Sequence, residues 1–441
     1  MINRNYFQTK KEYRNLSTGF MKKIFILSVF FVFSLSAMSL RAQHSLLSWQ
    51  QCLQQAKQHS FLVQSGQSQI TVARQMALLK KAQAIPKISG ELAGESHFLG
   101  GYNFGQEWAL VQADWSLGDF LKKTNRAARQ DVITRRFLVK QQELEAMGNA
   151  AVLYIAILQT QKALQLLNIQ LRLMQKHKML TTSMWKAGLR TQLDVLQTQT
   201  QMATFREDSV KLLMQTENLR HTLAMRLGWP SGDSLQIAPI ATGTSRKLIL
   251  PVQATALAGQ NPMVRVLQSK IAAQRLRTQN AAAYRYPHIS LGGGWFADGD
   301  PTGDGNYWLI RAGIRMPIYE GKSIKTLETA SVAQKESLQY QLQHVRRETM
   351  IKINRLTEKM KRLLDMMKIQ KQRIETLKKS AQFAETNFKA GLITNLEYLD
   401  IRHKLTDAQL KLEQSRLSFA LNLIDYYVVT GQTGKLMALG E

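Results

Sequence analysis

The chain has 441 residues, with 59 Lys+Arg against 31 Asp+Glu, and so a formal net charge of +28. At 44% hydrophobic and a mean hydropathy of −0.23 it is no polytopic helical membrane protein, whose spans each need about 20 consecutive apolar residues. Its 20% charged content and many Leu and Met argue against a disordered chain, and a single cysteine, Cys52, excludes an intrachain disulfide framework or a cysteine-based zinc site.

In chain order, residues 1–20 read as an upstream extension and Met21 as the start of a secretory signal. Lys22 and Lys23 form its basic region, Ile24 to Ala37 its apolar run, and Leu40-Arg41-Ala42 its cleavage site. Removing residues 1–42 lowers the net charge by six, to +22. The mature chain is expected to be exported and basic. After residue 42 no stretch is expected to cross a membrane as a helix, so any membrane insertion must use strands.

A helix of about 40 residues is predicted over 45–83, ending at Pro86, followed by strands near 87–97 and 106–117. A very long helix then covers about 120–184, breaks at Ala187-Gly188-Leu189, and gives way to a helix over 191–227. The same series returns as a helix over 249–284, strands at 288–297 and 306–317, and helices over 322–388 and 394–430. Trp308, Ile310, Ala312, Ile314, Met316 and Ile318 alternate with Tyr307, Leu309, Arg311, Gly313 and Arg315. That period of two suits a strand with lipid on one face and water, at Arg311 and Arg315, on the other. The strands of the first half alternate less cleanly. Trp108, Trp115, Trp295 and Trp308 all fall in these segments, as an interfacial aromatic girdle requires.

The long helix carries two apolar seams, one through Leu144, Met147, Ala151, Tyr154 and Leu158, the other through Leu153, Ile157, Leu164, Leu167, Leu171 and Met174. Both step by three and four, as in coiled coils, and two seams imply a neighbour on each side.

The recurrence is a duplication. Ala84-Ile85-Pro86-Lys87-Ile88-Ser89 returns as Arg285-Tyr286-Pro287-His288-Ile289-Ser290, and the segment 185–196 returns as 388–399. The two offsets differ by only two residues, so a unit of about 200 residues is written twice, well beyond solenoid periods. The expected division is 1–42 extension and signal, 43–240 first repeat, 241–430 second repeat and 431–441 a tail. Four strands are too few to close a transmembrane barrel, which begins at about eight, so a membrane role requires an oligomer.

With Pro86 and Pro287, Arg315-Met316-Pro317-Ile318-Tyr319-Glu320-Gly321 and the paired Lys-Ala-Gly-Leu turns, the chain resembles the TolC family of outer-membrane efflux proteins over residues 45–430. The first half departs at Ser116, opposite Pro317. The resemblance implies a mostly α fold with a β-barrel part. A homotrimer would form a twelve-stranded barrel in outer-membrane lipid, continued by a helical tunnel in the periplasm. The tunnel would dock a periplasmic adaptor and, through it, an inner-membrane pump of RND, ABC or MFS type.

Gly188 and Gly391 supply the backbone freedom of a tight helix reversal. By resemblance Ala187, Gly188, Leu189 and Thr191, with Ala390, Gly391, Leu392 and Thr394, contact the adaptor. Duplicated Leu and Thr at these turns exceed what capping was expected to need. Resemblance also places gate carboxylates at Glu397 and Asp400, three apart and so on one helix face. Asp194 is the charged counterpart in the first half. The family's gate arginine is Ile393 here and its gate tyrosine Phe388, so closure is expected to rest on apolar contacts.

Residues 346–379 hold twelve Lys or Arg against four acidic residues, a solvated helix face or an anion-biasing one. The 18 methionines read as packing rather than soft-metal ligands, and Asp298, Asp300 and Asp304 as a surface loop rather than a calcium site. No metal, cofactor or catalytic constellation is expected, and His177, His221, His344 and His403 read as solvated. Nucleic-acid binding fits the charge but not the export signal. The rival reading is an exported trimeric coiled coil without a pore.

Overall fold

The computed structural model describes residues 46–83, 85–99, 102–116, 124–230, 235–240, 254–282, 288–298, 307–316, 318–319 and 321–440. The signal segment, Pro287, Pro317, Glu320, the junction residues 117–119, the start of the second repeat at 241 and most of the acidic loop lie outside them. The chain divides into two compact units. In the small one, of residues up to Leu47 and 234–236, the Leu47 N–H donates to the Gln236 carbonyl at 2.8 Å. The large one comprises residues 48–233 and 237–441.

The first expected helix is two, α1 (Trp49–His59) and α2 (Phe61–Ala82), because Ser60 takes an extended backbone between them. Strands β1 (Lys87–Leu99) and β2 (Tyr102–Ser116) follow, then α3 (Thr124–Lys186) and α4 (Gln192–Leu227). The second expected opening helix is also broken, into α5 (Ala254–Ala258) and α6 (Pro262–Ala282). Asn261 makes the break: its Oδ1 accepts from the Met263 and Val264 N–H groups, and Pro262 has no N–H to satisfy. Then come β3 (His288–Asp298), β4 (Tyr307–Arg315), α7 (Ser323–Lys389) and α8 (Asn395–Val429). Helix α9 (Thr433–Met437) brings the Leu436 carbonyl onto the Trp49 indole N–H at 3.0 Å.

At 63 and 67 residues, α3 and α7 each rise about 95–100 Å. Helix α3 is contacted by α1, α2, α4, α6 and α8, and both of its seams are buried or half-buried, Ala151, Tyr154 and Ile157 completely. One stretch of α3, within Arg126–Lys186, is long and apolar enough to cross a membrane by length and composition, which the sequence reading did not anticipate. Half of that stretch is buried inside the protein, so its apolarity is the packing of a helix flanked on several sides. Helix α7 pairs with α8 through Ile353, Leu356, Met360, Leu363 and Met367, packed with Leu405, Ala408, Leu412, Phe419 and Leu423. Its opposite face leaves Tyr340, Ile351, Ile369 and Phe383 exposed.

The four strands form one antiparallel sheet in the order β1-β2-β3-β4, so the β-hairpins of the two repeats pair directly through β2 and β3. The register sorts the side chains. Ile88, Leu92, Val111, Trp115, Ile289, Leu291, Trp295, Trp308, Ile310 and Ile314 share one face. Lys87, Ser89, Glu91, Gln112, Asp114, Arg311 and Arg315 share the other, with Leu110 and Leu309.

Candidate functional site

The helix tips are built by two local motifs in series. Gly188 and Gly391 sit at φ +73° and +79°, the left-handed conformation that ends a helix in a Schellman turn. The Leu189 N–H reaches back to the Met184 carbonyl and the Leu392 N–H to the Asn387 carbonyl, each at 2.9 Å. Thr191 and Thr394 then open α4 and α8 as N-caps of capping boxes. The Asp194 N–H donates to Thr191 Oγ1 at 3.3 Å, and the Thr191 N–H returns to Asp194 Oδ2 at 3.0 Å. At the second tip the Glu397 N–H donates to Thr394 Oγ1 at 3.2 Å, and the Thr394 N–H to Glu397 Oε2 at 2.8 Å. Ala187, Gly188, Thr191, Asp194 and their counterparts Ala390, Gly391, Thr394, Glu397 are thus what the reversal itself needs. The leucines are different: Leu189 and Leu392, 69% and 74% exposed, are displayed outward.

The carboxylates divide by environment. Glu397 is exposed and held below its usual range by the backbone N–H and then the hydroxyl of Thr394. Asp400, also exposed, pairs with Lys404 at 2.6 Å, and Asp194 is half-buried at its cap.

Phe388 and Ile393 are drawn inward. Phe388 is 1% exposed and joins a cluster of both repeats with Leu167, Met174, Met202, Phe205, Tyr398 and Leu399. Arg190, at the first-tip position matching Ile393, donates to the carbonyl oxygens of Phe388 at 3.1 Å and Ile393 at 3.0 Å. An arginine therefore does act at the tips, from the other repeat.

His177 is buried, 5% exposed, which corrects its reading as a solvated residue. Its ring stacks on Tyr398 with centroids 4.1 Å apart and lies 4.8 Å from Phe388. Its Nε2 is 2.9 Å from Asn395 Oδ1. The Asn395 amide nitrogen donates to the Asp194 carbonyl, so Oδ1 is the acceptor and His177 Nε2 carries the proton. Arg402 donates to the Tyr398 hydroxyl at 3.0 Å and pairs with Glu385, also at 3.0 Å. Arg190, His177, Asn395, Tyr398 and Arg402 escaped the sequence reading because it followed what the repeats share. These are positions where they differ: 203 residues on or back stand Ile393, Ser380, Gln192, Val195 and Gln199.

On the sheet, Trp115, Trp295 and Trp308 lie on the apolar face. Trp108 pairs with Ala93 and Asp298 along the ladder. Trp295 and Trp308 are direct cross-strand partners, and Trp115 sits opposite Leu291, four residues or about 13 Å along β3. Arg311 aligns in one row with Gly292, Asp114 and Lys87. A side chain at 292 would come within 2.7 Å of Asp114 Oδ1, so this glycine leaves the carboxylate its place.

A four-stranded sheet with one apolar and one charged face, joined to two long helical hairpins with matching tips, defines a duplicated strand-and-hairpin protein of the channel-tunnel class. The family model for outer membrane efflux proteins matches residues 52–228 and again 254–432, and the chain belongs to that family. The two matched segments fit the internal duplication, and the family is one of transport conduits rather than enzymes. The chain is 24% identical over 292 residues to the pyoverdine export outer membrane protein OpmQ of Pseudomonas putida, 63% of this chain and 61% of that protein. Its fold is similar to that of CusC (TM-score 0.80, 17% identity, 87% of this chain and 91% of that one). It is also similar to the outer membrane protein VceC of Vibrio cholerae (TM-score 0.76, 15% identity, 87% and 96%).

Proposed function

We propose that the protein is the outer-membrane exit duct of a tripartite efflux pump or type I secretion system. It acts as a passive conduit, a homotrimer whose twelve strands close a barrel and whose hairpins form a periplasmic tunnel. The observation that carries this reading is the sheet face holding Ile88, Leu92, Trp308 and Ile310, with Ile310 83% exposed, opposite a face holding Lys87, Asp114, Arg311 and Arg315. Soluble proteins rarely leave so continuous an apolar surface uncovered. In lipid it is the favourable face, and the polar face suits a water-filled lumen at Arg311 and Arg315.

Trimerisation answers two needs of the same chain. Among the described residues neither outer edge of β1 or β4 is paired, and hydrocarbon cannot satisfy such edges unless neighbouring chains do. The exposed Tyr340, Ile351, Ile369 and Phe383 stripe of α7 is the matching unfilled surface on the helices. At the tips, Leu189 and Leu392 are the side chains left for a helical hairpin of an adaptor, beside Ala187, Gly188, Thr191, Ala390, Gly391 and Thr394. Glu397, Asp400 and Asp194 would line the entrance, with Phe388 and Ile393 packed behind it. The relative named for pyoverdine export makes small-molecule export one cargo class to examine.

Carbonate- and salt-washed membranes test the reading first. The protein should stay in the outer-membrane pellet and, once purified, form ion-conducting channels in planar bilayers. Recovery in the soluble periplasm without conductance supports the pore-free coiled coil instead.

A further inference from the structure

Five side chains from three helices and one tip loop meet in a single cluster, in which the Phe388 and Tyr398 rings also touch each other, 5.6 Å apart. The Arg190 guanidinium lies 4.5 Å from the Phe388 ring centre, Phe388 4.8 Å from His177, His177 4.1 Å from Tyr398, and Arg402 5.4 Å from Tyr398. His177 and Arg190 belong to the first repeat; Phe388, Tyr398 and Arg402 belong to the second. The only polar bond at the imidazole's Nε2 shorter than 3.0 Å among the described residues runs to Asn395, the first residue of α8, which is itself fully buried. Asn395 also donates to the Asp194 carbonyl of α4, so α3, α4 and α8 meet at this one amide.

We propose that His177 is the positioning residue that holds the second hairpin tip against the first, and that it does so only while its ring is neutral, so that acid loosens the tips. The inference rests on the duct reading and adds an acid response to it.

The chemistry follows from what surrounds the ring. A second proton must go to Nδ1 and create a cation in a site taken out of water, which is costly unless a partner is at hand. Both aromatic faces that would welcome a cation already face guanidinium groups, Arg190 over Phe388 and Arg402 over Tyr398. Burial, reinforced by Arg402, holds the imidazole below its usual range; the Asn395 bond, Glu385 of α7 and Asp194 of α4 oppose this less strongly. Glu385 is shared with Lys389 and Arg402, so it is not free to neutralise the ring. The sign is fixed by these facts. The neutral ring's contribution is fully present above the unfolded histidine value, about 6.5, and declines as pH falls from there toward the lower folded value.

The test uses the full-length protein in planar bilayers at about pH 7.5 and about pH 5.5, the window in which histidine titrates. Wild type is compared with His177→Gln, which keeps an amide donor, and His177→Phe, which keeps the stack; neither variant titrates. The expected result is that acid raises wild-type conductance or open probability, each linked proton contributing up to roughly tenfold per pH unit to the opening equilibrium. Both variants should lose that rise. A folded variant that keeps the wild-type acid response overturns the proposal, since another group must then carry it. Hydrogen exchange over residues 388–399, corrected for intrinsic rates, gives a second readout that needs no pore. Faster exchange in acid for wild type but not for the variants supports the proposal, and equal protection at both pH values overturns it. A wild type that conducts at neither pH removes the duct reading, while the exchange result still decides the role of His177.

Discussion

The Arg190 guanidinium of the first tip lies over the Phe388 ring of the second, 4.5 Å from its centre, and donates to the Phe388 carbonyl oxygen at 3.1 Å. A second bond to the Ile393 carbonyl makes it a clasp on backbone rather than on a side chain. Substitutions in the second tip loop cannot remove its acceptors, and only Arg190 itself can.

Arg190→Ala should therefore loosen the tips. Charged hydrogen bonds are each worth about 1.5–3 kcal/mol, less at this half-buried site where water competes. The expected outcome is larger or more frequent channel openings, with melting little changed because the long helices are untouched. Arg190→Lys keeps the charge but not the planar fork, and should fall between. Single-channel recording of the three proteins checks this.

Gly294 has a sharper requirement. A β-carbon there would fall on the Val111 carbonyl oxygen, with the Gln112 Cα at 2.9 Å, all of it backbone of the neighbouring strand. Gly294→Ala should break the β2–β3 pairing that joins the repeats and lower the yield of assembled protein in outer-membrane fractions. Gly90→Ala meets nothing nearer than the Leu110 oxygen at 4.0 Å and should assemble normally.

Neighbouring residues of β4 separate the two sheet faces. Ile310→Lys puts a charge on the apolar face, which costs about 2–4 kcal/mol at mid-bilayer. Leu309→Lys places the same charge beside Arg311 on the polar face. Heat-modifiable trimer on unboiled gels should be lost for the first and retained for the second. Equal behaviour would sink the assignment of faces.

The caps carry their own pH dependence. Thr394→Ala removes the N-cap of α8, at a typical cost of about 1 kcal/mol. The Thr394 donors also hold Glu397 below the ordinary carboxylate value of 4.5. A depressed carboxylate contributes stability that is present above that value and lost as pH falls through the folded one. Tip protection from hydrogen exchange should fall further as pH drops below about 4.5 for this reason, and Thr394→Ala, which removes the hydroxyl but keeps the backbone N–H, should reduce that component without abolishing it. Because it titrates below the histidine range, it is separable from the His177 effect.

The tips show how far the one-dimensional pattern reached. Ala-Gly-Leu followed two residues on by Thr, then Asp or Glu, states a Schellman turn and a capping box in full, so the hairpins were legible. The aromatic cluster was not, because stacking between His177 and Tyr398 joins residues 221 positions apart. A lone histidine on a helix carries no sign of its burial. The strand faces lie between these cases: β4 announced its alternation, whereas which strand each one pairs with came only from the ladder.

Sequence by itself determined the duplication, the alternation of strand pairs with helical hairpins and the reversal points, since these follow from local chemistry. Tertiary structure decided which residues of one repeat meet which of the other. That information lives in the pairing of β2 with β3 and in the packing of α3 against α8. Both are contacts between chain segments far apart in sequence, and no local propensity encodes them.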